Sequence, residues 1–179
     1  QEYSTYYPHN GWAEQDPEDS WIAFVKNVRS LLAESGVKAE DIVAISLDAA
    51  THTAVLLDEN DAVLAPSMLY TDPRGEEECA QLQAAELREK YGSEIINLSY
   101  NNVSSLWTLP QLMWLCKHEP ETIQKTRKVL AVKDYVRYRL TGDFVTDDIE
   151  AMGFLLLDAN KNEWSERLCA DTIVIAGTT

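Results

Sequence analysis

The stretch Ala44–Leu82, AISLDAATHTAVLLDENDAVLAPSMLYTDPRGEEECAQL, decides the fold class. With Asp41–Val43 in front of it, DIVAISL (41–47) is an apolar run with little alternation, as in a strand buried on both faces. HTAVLLD and AVLAPSML flank the polar ENDAV, which reads as a hairpin and its turn. YTDPRG (70–75) reads as a loop, and Pro73 or Gly75 opens a polar helix over EEECAQLQAAELREKYG (76–92). Strand, hairpin, loop and helix in this order predict an α/β fold with a mixed sheet.

Working outward, Asp16-Pro17 reads as an N-cap followed by a first helical residue, with Glu18 and Asp19 suiting the positive end of the helix dipole. Trp21, Phe24, Val25, Val28, Leu31 and Leu32 recur at helical spacing until Ser35-Gly36 ends the helix. Downstream, a helix starts at Thr108-Leu109-Pro110 and breaks before Pro120. KVLAV is a short strand, KDYVRYRLTG a helix closed by Gly142, and NEWSERLCAD another short helix. The β-branched TIVIA (172–176) predicts a second buried strand beside DIVAISL. It leads into Gly177, Thr178 and Thr179, a glycine-led turn of the kind that lets backbone N–H groups approach a phosphate. No turn chemistry separates WSERLCAD from TIVIA, although helix-to-strand connections usually take roughly 2–6 residues. Two readings stay open: a short loop with a frayed helix end, or a segment absent near residues 171–172.

The chain has 179 residues, one domain or one lobe of a larger protein. A net charge of −15 disfavours nucleic-acid or anionic-membrane binding through a basic face. No apolar run reaches membrane-spanning length, and no signal peptide is recognisable. Cys79, Cys116 and Cys169 lack metal or redox spacing and read as reduced, buried thiols of a cytoplasmic protein. His9, His52 and His118 are equally scattered, which disfavours a zinc site.

The stretch from AISLDAATHT to EEECAQL resembles the FGGY carbohydrate kinases, closest to their xylulokinase-type branch. GWAEQDPEDSW, SSLWTLPQLMWLCKHEPE, the stretch from VLAVKDYVRYRLTG to WSERLC, and the closing TIVIAGTT match in the same order. The resemblance implies an actin-like, ribonuclease-H-like lobe. Its activity would be ATP- and Mg²⁺-dependent phosphorylation of a ketopentose such as xylulose, or of a related sugar or polyol. It further implies that residues 1–179 are a partial sugar-binding domain, lacking a first β-hairpin with its phosphate loop, the segment near 171–172, and a carboxy-terminal nucleotide lobe. The general-base aspartate would follow Thr179, so no catalytic residue falls within the chain. A homodimer is compatible with this reading. A non-catalytic sugar-binding or regulatory module of the same fold is the alternative. Three departures bear on the sugar: DAATHT in place of a Gly-Gln-Met-His-Gly turn, Tyr70 in place of a tryptophan, and TDDIEAMG in place of a serine-rich version.

The candidate sugar contacts are Thr51, His52, Tyr70 and Asp72, with Asn102 and Asp147 as further candidates. His52 either caps a hairpin edge or exchanges a hydrogen bond with a sugar hydroxyl. Asp72 either closes an Asx turn paired to Arg74 or accepts two sugar hydroxyls while Arg74 holds the loop. Tyr70 covers an apolar sugar face or simply packs. Thr51 offers its backbone or hydroxyl beside His52. Within Asp147, Asp148 and Glu150, at least one acid serves the helix N-terminus.

Overall fold

The computed structural model describes residues 1–84, 89, 91 and 93–175, the last five as backbone. β1 (Glu14–Gln15) leads into α1 (Pro17–Ser35). The Asp16 carboxylate accepts the Glu18 N–H at 2.9 Å, Pro17 fills a position that needs no N–H, and Gly36 ends the helix at φ 69°. β2 (Ala54–Leu57) then turns through Asp58, whose carboxylate accepts the N–H groups of Asn60 (2.7 Å) and Ala62 (2.9 Å). The expected hairpin forms over one bridge, Leu57 to Val63. Pro66 offers no N–H to prolong that ladder, and β3 (Ser67–Met68) pairs antiparallel with β1 instead.

A 3₁₀ turn (Pro73–Gly75) opens α2 (Glu76–Gln83), which ends at its C-cap Ala84; of the helix expected over 76–92, residues 85–88, 90 and 92 lie outside the described residues. Next come α3 (Ser93–Ser99), α4 (Thr108–His118) and α5 (Pro120–Lys125). Pro120 ends α4, as expected, and also opens α5, because proline suits a first helical position. β4 (Lys128–Ala131) lies antiparallel to β2, with Ala54 opposite Ala131 and Leu57 opposite Lys128. α6 (Val132–Thr141) is closed by Gly142 at φ 77°. α7 (Asp148–Gly153), β5 (Leu157–Asp158), β6 (Glu163–Trp164) and α8 (Glu166–Ile175) complete the order.

The β2–β4 pair is covered on both faces. Val55 and Leu57 pack with Leu130, Val132 and the fully buried Tyr135, against Trp21 of α1. Leu56 points the other way, to Met68 and Leu115. The Tyr135 hydroxyl donates to Glu18, tying α6 to α1; burial, then the Glu18 carboxylate, push its pKa up to about 12. A second core joins Ile95, Leu109, Met113, Phe154, Leu155 and Leu168.

Two expected strands do not form. DIVAISL starts in a 3₁₀ turn (Ala39–Asp41) and continues as extended chain with no ladder partner among the described residues; Val43 is 98% exposed. Of TIVIA, Thr172–Ile175 is not a strand either, because α8 runs through Asp171 and Thr172 to Ile175; Ala176 lies outside the described residues. The junction at Asp171–Thr172, for which the sequence leaves open both a short loop with a frayed helix end and an absent segment, lies within α8. Extending a formed helix gains one hydrogen bond per residue, whereas a strand needs a neighbour, so context overrides β-branched propensity here. Gly177, Thr178 and Thr179 lie outside the described residues.

Candidate functional site

His52 stands at the mouth of β2, where three elements converge. It adopts φ 45°, uncommon for a residue with a side chain. Its N–H donates to Glu150 Oε2 of α7 at 2.7 Å, and its carbonyl accepts the Thr108 hydroxyl at the start of α4. Thr53, next in the chain, accepts the Val132 N–H through its carbonyl at 3.0 Å. The backbone around the imidazole is therefore pinned from α4, α6 and α7.

The imidazole itself is buried, and neither Nδ1 nor Nε2 makes a hydrogen bond of ordinary geometry; the Leu106 carbonyl is the backbone acceptor that acts on it. Trp107 covers one side, with ring centroids 4.7 Å apart. Gly153 covers another: a Cβ there would stand 2.7 Å from His52 Cβ and 3.1 Å from Nδ1. Burial lowers the imidazole pKa, opposed in part by the Leu106 carbonyl, which leaves the ring neutral near pH 7. A neutral imidazole carries one donor and one acceptor nitrogen, so it can serve a hydroxyl in either sense. Glu150 is also buried, and burial raises its carboxyl pKa; the His52 N–H and the Lys133 charge act against that.

Thr51 is exposed immediately beside His52. Asp147 is the N-cap of α7, accepting the N–H groups of Ile149 and Glu150 at 3.1 Å each, and it also pairs with Lys133. This is the helix-terminus role anticipated for one member of the acidic trio. Of the asparagine pair, Asn101 rather than Asn102 reaches α7, donating to the Met152 carbonyl at 3.4 Å; Asn102 is exposed. An open groove of roughly 700 Å³ runs from the extended 42–47 segment past Lys133, Arg137 and Thr146 to Asp147.

Asp72 is engaged internally, as in the Asx-turn alternative. Its carboxylate accepts the Ala13 N–H (2.7 Å), the Arg74 N–H (3.0 Å), Arg74 Nε (2.8 Å) and Arg74 Nη2 (2.8 Å). A carboxylate offers about four lone-pair sites, so none is left for two sugar hydroxyls. Arg74 also pairs with Glu14 at 2.7 Å and lies 4.0 Å above the Trp12 ring. The loop is thus an internal clamp between residues 12–14 and 72–74, the Asx-turn alternative. Tyr70 is 53% exposed beside that clamp, and no hydrogen bond or ring contact links it to His52. α4 bridges the two regions: Thr108 holds His52, Gln111 donates to the Leu69 carbonyl at 3.1 Å, and Gly75 packs on Pro110.

The sequence reading missed Thr108, Gly153 and Trp107 as neighbours of His52 and left Glu150 without a partner. Only the helix start at Thr108 carried a local signal. Cys79, Cys116 and Cys169 are free thiols, with pKa values raised by burial. Among the described residues, no group of three or more His, Cys, Asp or Glu side chains could hold a metal ion, and no helix is long and apolar enough to cross a membrane.

Frame and site together describe a lobe of the actin-like α/β class, the fold of the solved sugar kinases that it matches. The sequence model for the FGGY family of carbohydrate kinases, N-terminal domain, matches residues 1–175. The xylulose kinase of Bacillus subtilis (strain 168) is 37% identical over 159 residues, covering 89% of this chain and 31% of that protein. That of Escherichia coli (strain K12) is 35% identical over 159 residues, with the same coverage, 89% and 31%. A crystal structure of a xyloylose kinase from Brucella ovis matches with a TM-score of 0.84 and 34% identity, covering 94% of this chain and 34% of that one. The chain therefore belongs to the FGGY family of carbohydrate kinases. It spans about a third of the length of these relatives.

Proposed function

We propose that this chain supplies part of the sugar site of a kinase that transfers a phosphoryl group from ATP to a hydroxyl of a ketopentose such as xylulose. The observation that carries the sugar-site assignment is His52: a buried, neutral imidazole with no hydrogen bond of ordinary geometry on either nitrogen, beside an exposed threonine. Such nitrogens cost free energy until a ligand pairs them, and a site built that way rejects analogues lacking the matching hydroxyl. Family membership and the two xylulose kinase relatives support the reaction class. Thr51 lies within the same turn and adds a hydroxyl at the rim. Mg²⁺ would arrive with the nucleotide, and none of the described residues is assigned to it. The groove beside Lys133 and Arg137 leaves room for further contacts to a polar ligand.

A coupled assay of ATP turnover on the full-length protein tests the proposal, with D-xylulose, L-xylulose, gluconate and glycerol as substrates. D-xylulose is expected to give the highest kcat/KM. His52→Ala should lower kcat/KM for that sugar by about 1–3 kcal/mol, roughly 5- to 150-fold, the range for leaving one buried polar partner unmade. Absence of turnover with every sugar would favour the non-catalytic module. An unchanged kcat/KM in His52→Ala would remove His52 from the sugar site.

A further inference from the structure

We infer that Glu150 and Gly153 are positioning residues that set the orientation of His52 toward the sugar, an inference that rests on the assignment of His52 made above. Both belong to α7, about a hundred residues from His52 in sequence. Glu150 acts on the backbone. Its Oε2 accepts the His52 N–H at 2.7 Å, and that bond holds a histidine at φ 45°, where a side chain is strained. Thr108 grips the other side of the same residue through its carbonyl. Gly153 acts on the ring. Its missing side chain is the space that the imidazole occupies, since a Cβ would lie 2.7 Å from His52 Cβ and 3.1 Å from both Cγ and Nδ1. The first of these distances is shorter than any that real Cβ atoms keep, and the atom met is the stem of His52 rather than a flexible tip. A methyl group at residue 153 must therefore push His52 out of place, and the imidazole nitrogens move with it. The packing of Trp107 on the ring at 4.7 Å leaves it little freedom to return. The arrangement holds the imidazole in one orientation before any ligand arrives, the condition for a precise hydrogen bond to a hydroxyl.

The test uses the full-length protein and its preferred sugar, with KM for the sugar, KM for ATP and kcat measured separately. Gly153→Ala should raise sugar KM or lower kcat/KM at least tenfold and leave KM for ATP within twofold. His52→Gly removes the colliding stem and tolerates the positive φ. In that background, adding Gly153→Ala should change kcat/KM less than twofold, because the two substitutions then act through one group. Glu150→Leu should lower kcat/KM at least fivefold, whereas Glu150→Gln, which keeps an oxygen acceptor for the His52 N–H, should restore most of it. Equal losses from Gly153→Ala in the presence and absence of the His52 side chain would overturn the inference, as would equal losses in the two Glu150 variants. If Gly153→Ala fails to fold, the comparison of Glu150→Leu with Glu150→Gln decides. The two layers fail differently. Unchanged sugar kinetics in His52→Gly would refute the sugar-site assignment itself. A strong His52→Gly effect with wild-type kinetics in Gly153→Ala would refute the positioning role alone.

Discussion

At residue scale, Asp72 and His52 are both polar candidates in the sequence, and the structure separates them by what their side chains bond to. Asp72 has four internal donors on its carboxylate, while the His52 imidazole makes no hydrogen bond of ordinary geometry. Burial would raise the Asp72 pKa, but the Arg74 guanidinium and the N–H groups of Ala13 and Arg74 bring it below the usual carboxylate value. A group whose folded pKa is depressed contributes stability that is full above the unfolded pKa, near 3.8, and is lost as pH falls through the folded one. Asp72→Asn should therefore cost about 3 kcal/mol at pH 7, the low end for breaking a buried pair, because Glu14 still faces Arg74. Urea denaturation should show the penalty shrinking below pH 4. A penalty equal at pH 7 and pH 3 would contradict the clamp. The Arg74 partner was legible from two residues away, as an Asx turn. The Ala13 donor, 59 positions off, was not, and neither was Glu150 beneath His52, 98 positions off. Contacts of that range leave no mark on local spacing.

At the scale of elements, end signals were read correctly wherever the governing chemistry is local. Asp16, Pro17 and Gly36 bound α1, and Gly142 closes α6 in the left-handed region. Asp16→Ala should cost about 1 kcal/mol through the lost cap. Gly142→Ala should cost about 1–2 kcal/mol; no atom lies within 4 Å of its Cβ position, so the cost is backbone strain alone. Chemical denaturation checks both, and a Gly142→Ala variant as stable as wild type would contradict the assigned conformation. The misreadings share one cause. A strand is satisfied by a neighbour, and apolar β-branched residues do not say whether one is available. The 42–47 segment has the composition of a strand and no ladder partner among the described residues. Thr172–Ile175 has a similar composition and continues a helix already under way. β2 and β4 read as strands and are strands, because each supplies the other's hydrogen bonds.

At the scale of the whole molecule, phosphoryl transfer needs groups on both sides of a water-excluding cleft, and the sugar contact proposed for His52 supplies a group to one side only. The apolar surface agrees with a lobe that is not closed upon itself: Val43, Ile149 and Leu31 are 98%, 78% and 64% exposed. The 179 residues alone are expected to show no sugar-dependent ATP turnover and to bind xylulose no better than millimolar, since a small polar ligand gains little while its open face stays hydrated. Turnover by the isolated chain would contradict that account. The proposal assigns the sugar contact to His52, and the measurement that tests this most directly is kcat/KM for D-xylulose of the full-length protein, compared between wild type and His52→Ala. We predict robust ATP-dependent phosphorylation by the wild type and a loss of roughly 5- to 150-fold in the variant, with KM for ATP unchanged. Equal kcat/KM values in the two proteins, or a loss expressed wholly in KM for ATP, would contradict it.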